Sequence, residues 1–309
     1  MFDENKVWRK VQNYLPCDFR INEETQPHEK WTRYEDVELR YDEYIPKKST
    51  RDVTVFIFHG VGGNGRLLSF LAVPLVKAGY KVICPDLPGY GYTKIKRRFN
   101  YYTWTACCKF LVSNKQFTSK KNYVIGLSAG GMLAYNTAGI SDNIDGIIVT
   151  NLLDNRIQEV REYSARNKFQ ANTGLTILNL LPDIFTRIKV PIRFITNMKA
   201  LVNDKNILRL LLKDKVGAGG SVPLRLLISM MSHSVLVEPE YFKKCSVLLV
   251  HPENDKWTPF HLSKYFFDRL IVKKKFVLLE KAGHFPIEQP GIDQLKTEII
   301  NFIENDINI

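Results

Sequence analysis

Apolar and polar positions follow two alternating rhythms from residue 53 onward. "VTVFIF" (53–58), "YKVICPD" (80–86), "NYVIG" (122–126) and "DGIIVTNLL" (145–153) are short apolar runs with little polar alternation. Runs of this kind are strands covered on both faces. Between them, "RLLSFLAVPLVKAG" (66–79) and "YTWTACCKFLV" (102–112) space their apolar residues as helices. This alternation predicts an α/β fold, a mostly parallel central sheet with helices on both faces.

Two regions break the rhythm. Residues 1–50 are polar and mixed, with a short helix near "KVWRKVQNYL" and strand-like "DVELRYDEY". Residues 155–244 are dominated by the helix-like runs "LTILNLLPDIF", "NILRLLLKD" and "LRLLISMM", broken by Pro182, Pro191, "GAGG" (217–220) and Pro223. Strand and helix then resume with "CSVLLVHP", "FHLSKYFFDRL", "KFVLLE" and a last amphipathic helix, "GIDQLKTEIINFIEN". The expected organisation is an N-terminal helix and leading strand (1–50), an α/β core (51–154 and 245–309) and a helical cap inserted at 155–244.

In such sheets ligands bind beyond the carboxyl ends of the strands, and four stretches there carry polar chemistry. "HGVGGNGR" (59–66) follows the first strand; its glycines let backbone N–H groups approach a developing negative charge. A phosphate loop would need the lysine and Ser/Thr that are missing here. "VIGLSAGG" (124–131) contains Gly126-Leu127-Ser128-Ala129-Gly130, a G-x-S-x-G pattern with a strand before it and helical spacing after it. "HPENDKWTP" (251–259) offers Glu253 and Asp255, and "KAGHFPIEQP" (281–290) offers His284. A serine hydroxyl is a weak nucleophile near neutral pH. It needs a base within hydrogen-bond reach and an acid that orients the base. Ser128, Asp255 and His284 each follow a strand-like run, in the order serine, acid, histidine. Glu253 and Asp154 are alternative acids.

With these motifs, residues 50–305 resemble the α/β-hydrolase superfamily, nearest its lysophospholipase and monoacylglycerol-lipase-like serine esterases. The resemblance implies Ser128 as nucleophile, Asp255 as acid and His284 as base. It implies the backbone N–H groups of Ala129 and Val61 as the oxyanion hole, with Gly60 and Leu127 beside the substrate. "PDLPGYGYT" (85–93) matches the superfamily's aspartate–glycine turn, where Asp86 is structural. His59 reads as a structural histidine. The chemistry requires no metal or organic cofactor. The same triad also serves thioesterases, peptidases, carbon–carbon hydrolases and cofactor-free haloperoxidases, and a related fold can be a non-catalytic binding protein.

Composition narrows the substrate further. The chain of 309 residues carries a net charge of +12. Residues 155–244 hold fifteen Lys/Arg against seven Asp/Glu. A basic, apolar cap suits a lipid ester and peripheral contact with an anionic membrane; Met198, Met230, Met231, Phe185 and Phe194 are candidates for an acyl pocket, and His233 for a substrate contact. The clusters "KIKRR" (94–98) and "VKKKF" (272–276) read as solvated faces, and no nucleic-acid motif accompanies the charge. Five cysteines without C-x-x-C spacing read as reduced, buried thiols. The polar start "MFDENKVWRKVQNYL" is unlike a signal peptide, and no apolar run approaches the roughly 20 residues of a membrane span. The expected compartment is the cytoplasm.

Overall fold

The computed structural model describes residues 2–48, 51–165, 188–232 and 235–307. Its strands, in chain order, are β1 (His28–Tyr34), β2 (Val37–Tyr44), β3 (Val53–Phe58), β4 (Lys81–Pro85), β5 (Lys94–Ile95), β6 (Lys121–Gly126), β7 (Gly146–Val149), β8 (Lys189–Pro191), β9 (Ser221–Pro223), β10 (Ser246–Pro252) and β11 (Lys274–Leu279). The main sheet runs β1-β2-β4-β3-β6-β7-β10-β11, with β5 also on β2. From β4 to β11 every pairing is parallel, and β1, β2 and β4 pair antiparallel.

The register decides where chemistry can gather. Phe58 pairs with Gly126, Gly126 with Val149, and Val149 with Leu249. The loops leaving β3, β6, β7, β10 and β11 therefore emerge along one edge. All six residues of β3 are buried, as are eight of the nine in the helix Ser69–Lys77. The helix Ala129–Gly139 is buried from Gly130 to Ala138, so it is packed all round rather than on one stripe.

β1 carries no apolar rhythm, and periodicity misses it; most of its residues are exposed or half-buried. It serves a buried ionic cluster. Arg40 and Asp42, on β2, are fully buried and paired. The Arg66 guanidinium donates to Asp42 Oδ1 and Oδ2 at 2.8 and 2.7 Å, to Glu29 at 3.0 Å and to Asp3 at 3.1 Å. Arg40 also faces Asp86 at 3.5 Å, and both guanidiniums lie over the Phe2 ring. Burial alone would lower the pKa of Arg66, but the Asp42 carboxylate reverses this and holds the arginine charged. The cluster joins the N-terminal segment, β2 and the loop after β3.

Within 188–232 the structure adds what helical spacing did not suggest. β8 and β9 pair antiparallel, with Lys189 opposite Pro223 and Pro191 opposite Ser221. Prolines act as breakers in a helical reading, but the edge of a two-stranded sheet accepts them. "NILRLLLKD" and "LRLLISMM" do form helices, Lys205–Leu211 and Leu224–Ser232. "LTILNLLPDIF" with Phe185, and also His233, lie outside the described residues. The segment docks on the core through Gly91 N–H to Val216 O (2.9 Å), Phe285 N–H to Leu201 O (3.0 Å) and Asn64 Nδ2 to Asp214 Oδ2 (3.4 Å). Near its two ends, Arg156 donates to Asp154 (2.7 Å) and Glu238 (3.0 Å), and Arg269 also donates to Glu238 (3.0 Å). The five cysteines are free thiols; Cys17 is exposed, against expectation, and the other four are buried. Among the described residues, no helix is long and apolar enough to cross a membrane.

Replacing Asp42 with asparagine leaves two buried guanidiniums facing a neutral group. The Asp42→Asn variant is expected to lose about 3 kcal/mol of unfolding free energy, measured by urea denaturation. A loss below about 1 kcal/mol, the scale of a surface pair, contradicts the burial described.

Candidate active site

Ser128 joins β6 to the helix Ala129–Gly139 with φ 57° and ψ −125°, a sparsely populated conformation for a residue with a Cβ. The surrounding packing enforces it. A Cβ on Gly126 would lie 2.1 Å from Gly130 O, and one on Gly130 would lie 2.3 Å from Phe58 O. Only glycine lets the helix start this close to the strand ends. The Ser128 N–H donates to Thr150 Oγ1 at 2.9 Å, which ties the turn to the end of β7.

His284 follows β11. Its Nε2 lies 2.8 Å from Ser128 Oγ, and its Nδ1 lies 2.8 Å from Asp255 Oδ2. An ionised carboxylate only accepts hydrogen bonds, so Nδ1 carries the proton and Nε2 is left to accept from the serine. Asp255, after β10, also accepts from the N–H groups of Trp257 and Thr258, both at 2.8 Å, and from Thr258 Oγ1 at 2.9 Å. Burial would raise its pKa. The His284 imidazole and these donors outweigh burial and hold the carboxyl well below the usual carboxylate range. The Trp257 ring packs against the imidazole at 4.7 Å.

The side chains that brace the serine turn and Asp255 escaped the motif reading. Thr150 Oγ1 donates to Asn151 Oδ1 at 2.8 Å, and Asn151 Nδ2 donates to Thr258 Oγ1 at 3.0 Å. One chain of hydrogen bonds therefore runs from the backbone of the serine to the carboxylate that orients the histidine. Its signals were small: a Thr-Asn pair directly after β7, and a threonine three residues beyond Asp255.

The loop after β3 closes the other side. A Cβ on Gly60 would lie 3.0 Å from Ala129 N and 3.1 Å from Ser128 Cβ, so this loop is pressed onto the serine turn. Among the described residues, the N–H groups of Val61 and Ala129 have no backbone acceptor. The loop is held by His59, whose Nδ1 donates to Gly60 O (2.8 Å) and whose Nε2 accepts from Leu87 N–H (3.0 Å). Burial lowers the His59 pKa to about 4, and the neutral tautomer fits both bonds. Asp86 accepts from Gly65 N–H (2.8 Å) and Tyr92 N–H (2.9 Å); it braces the loops rather than facing Ser128.

The alternative acids engage other partners, whereas Asp255 is the carboxylate bonded to His284. Glu253 is exposed and accepts from Lys281 N–H at 2.9 Å, and Asp154 is paired with Arg156. Ser128, His284, Gly60, Val61 and Leu127 line one cavity of about 30 Å³. Its apolar walls are Leu67, Leu68, Leu201, Leu211 and Phe285; of these only Phe285, next to His284, lies in a stretch singled out from the sequence. Met230 and Met231 are not among its lining residues; Met230 is buried in the helix Leu224–Ser232. Phe194 is 48% exposed, and Met198 packs against Gly62.

Residues 53–290 match the family of the alpha/beta hydrolase fold. The chain belongs to that family. The fold of this hydrolase-family chain is similar to that of a soluble variant of monoglyceride lipase from Saccharomyces cerevisiae solved with a substrate analog (TM-score 0.75, 18% identity, 94% of this chain and 99% of that one). It is also similar to a monoacylglycerol lipase from Paleococcus ferrophilus (0.66, 19%, 87% and 99%). A third similar fold is a membrane phospholipase A described as a bacterial virulence factor (0.68, 16%, 100% and 91%). At these identities the likeness is one of fold. Protein ABHD8 of Homo sapiens and of Bos taurus is 33% identical over 85 residues, 27% of this chain. The match spans about a fifth of the length of those relatives.

Acid should loosen the site's scaffold. The unfolded chain protonates His59 near its ordinary 6.5, while the folded chain resists until about 4. The stability is therefore complete above 6.5 and declines as pH falls toward 4, by about 3 kcal/mol for this group. His251, also lowered to about 4 by burial, acts in the same direction. Asp86, raised to about 6 by burial, acts in the opposite direction. The net expectation is a melting temperature that falls between pH 6.5 and 4; a flat profile contradicts it.

Proposed function

We propose that the chain is a serine hydrolase that cleaves carboxylic esters through an acyl-enzyme on Ser128. The observation that carries this reading is the continuous Ser128–His284–Asp255 relay, with 2.8 Å at both contacts of the imidazole, beside two backbone N–H groups without backbone acceptors.

Each group has a definite role. His284 Nε2 takes the Ser128 proton as Oγ attacks the ester carbonyl. The N–H groups of Val61 and Ala129 stabilise the oxyanion. His284 then protonates the leaving alcohol and activates water to release the acyl group. Asp255 holds the tautomer and stabilises the imidazolium without taking the proton.

The substrate class proposed is a lipid-like ester, a monoacylglycerol or lysophospholipid. Leucines and Phe285 around Ser128 support it, as does the positive surplus of residues 155–244, which we read as a cap. A cavity of about 30 Å³ is far too small for an acyl chain, so this reading requires its apolar wall to open, and Leu211 is the wall residue chosen for test.

Three measurements test this. Ser128→Ala should abolish p-nitrophenyl ester hydrolysis and fluorophosphonate labelling while keeping the circular dichroism spectrum; retained turnover removes the assignment. Asp255→Asn should lower kcat by about 10⁴-fold, the cost of a mis-set tautomer, and a loss under about tenfold would point to another acid. Leu211→Ala should raise kcat/KM for long-chain over short-chain esters; an unchanged ratio means that Leu211 does not gate the acyl chain.

A further inference from the structure

A second cavity, of about 680 Å³, opens between residues 89–99 and the small β8–β9 sheet. Lys94, Lys96, Arg97 and Arg98 line one wall and Lys189 and Arg225 the other, and among the described residues no carboxylate lines it. By itself the "KIKRR" run is an ordinary solvated face. Folding changes its character by bringing up two further cations from more than 90 residues away. Six like charges around a concave surface repel one another and raise the local potential, which favours an anion there.

Intramolecular interactions cover part of this charge: Lys94 and Arg97 are ion-paired, and Arg98 and Arg225 have interactions of their own. Lys94 reaches Glu38 at 3.3 Å, and Arg97 reaches Asp36 at 2.7 Å and Glu35 at 2.5 Å; these three carboxylates lie on the β1–β2 hairpin, outside the lining. Lys96 and Lys189, one from each wall, make no ion pair among the described residues. The volume falls in the range of small-ligand pockets and exceeds what a single phosphate group fills. Glycines at 89 and 91 bring the backbone to the cavity wall.

We propose that this cavity is a binding site for a phosphate-bearing anion, separate from the Ser128 cavity. It shares no lining residue with that cavity, so the proposal stands whether or not the chain hydrolyses esters. The anion is either a soluble phosphorylated compound or the headgroup of a bilayer lipid; the chemistry recognised is the same.

The test uses the full chain and two probes, inorganic pyrophosphate by isothermal titration calorimetry and vesicles of phosphatidylcholine with or without phosphatidate by flotation. The variants are Lys96→Glu/Lys189→Glu, reversing one charge on each wall, and Lys273→Glu, an exposed lysine of the other basic cluster. Melting curves confirm that each variant folds. Wild type is expected to bind at least one probe at low salt, more weakly as salt is added. The double variant should lose about tenfold or more in affinity, the scale of charged hydrogen bonds, while Lys273→Glu stays near wild type. Pyrophosphate binding without flotation identifies a soluble ligand; flotation that requires phosphatidate identifies a lipid headgroup. Failure of wild type to bind either probe, or an equal loss in Lys273→Glu, overturns the proposal.

Discussion

The architecture around Ser128 depends on one steric constraint, the contact between the start of the helix Ala129–Gly139 and the ends of β3 and β6. Gly130 lies so close to Phe58 O that any side chain would collide with it. This approach leaves Ser128 no relaxed conformation, and its φ of 57° follows. The strain is held by what surrounds it: buried strands on either side, Thr150 on the serine N–H, and Gly60 against Ala129. If the helix began farther from the sheet, the serine could relax, and His284 and the loop after β3 would no longer converge on it.

Much of this was legible in the sequence because the relevant forces are local. β3, β4, β6, β7 and β10 are short, apolar and buried on both faces, so composition alone marks them. The G-x-S-x-G turn is legible because glycine is the only residue that fits the crowding. Asp255 and His284 could be paired with Ser128 only by knowing that strand ends share an edge, which the alternating rhythm implies. The remainder was hidden by its distance in sequence. β1 has no apolar pattern, because its Glu29 serves an ionic cluster assembled from Asp3, Arg40, Asp42 and Arg66. Leu201 and Leu211 reach the serine only through tertiary packing, whereas Met230, on a strongly amphipathic helix, faces the core instead. β8 and β9 were hidden behind their prolines.

Electrostatics in this protein works at two depths. The cluster around Arg66 is largely desolvated, and each of its two arginines has carboxylate partners at the cost of rigidity. It fixes the loop that carries Gly60 and Val61. The charge around the 680 Å³ cavity is gathered at a concave surface, where Lys96 and Lys189 make no ion pair among the described residues. Matched burial holds shape, while charge at an open surface stays in contact with solvent.

The ion pairs among Arg156, Glu238 and Arg269 have a consequence for how this chain can change. Arg156 and Glu238 are 82 residues apart, yet they touch beside the core. The two ends of the intervening chain therefore lie side by side at a narrow neck on the core. Closing a loop costs free energy that grows only slowly with its length. A shorter, longer or unrelated segment grafted across this neck would present the core with the same two ends. The sheet and its serine turn can therefore stay constant while the surface above them is exchanged as a cassette.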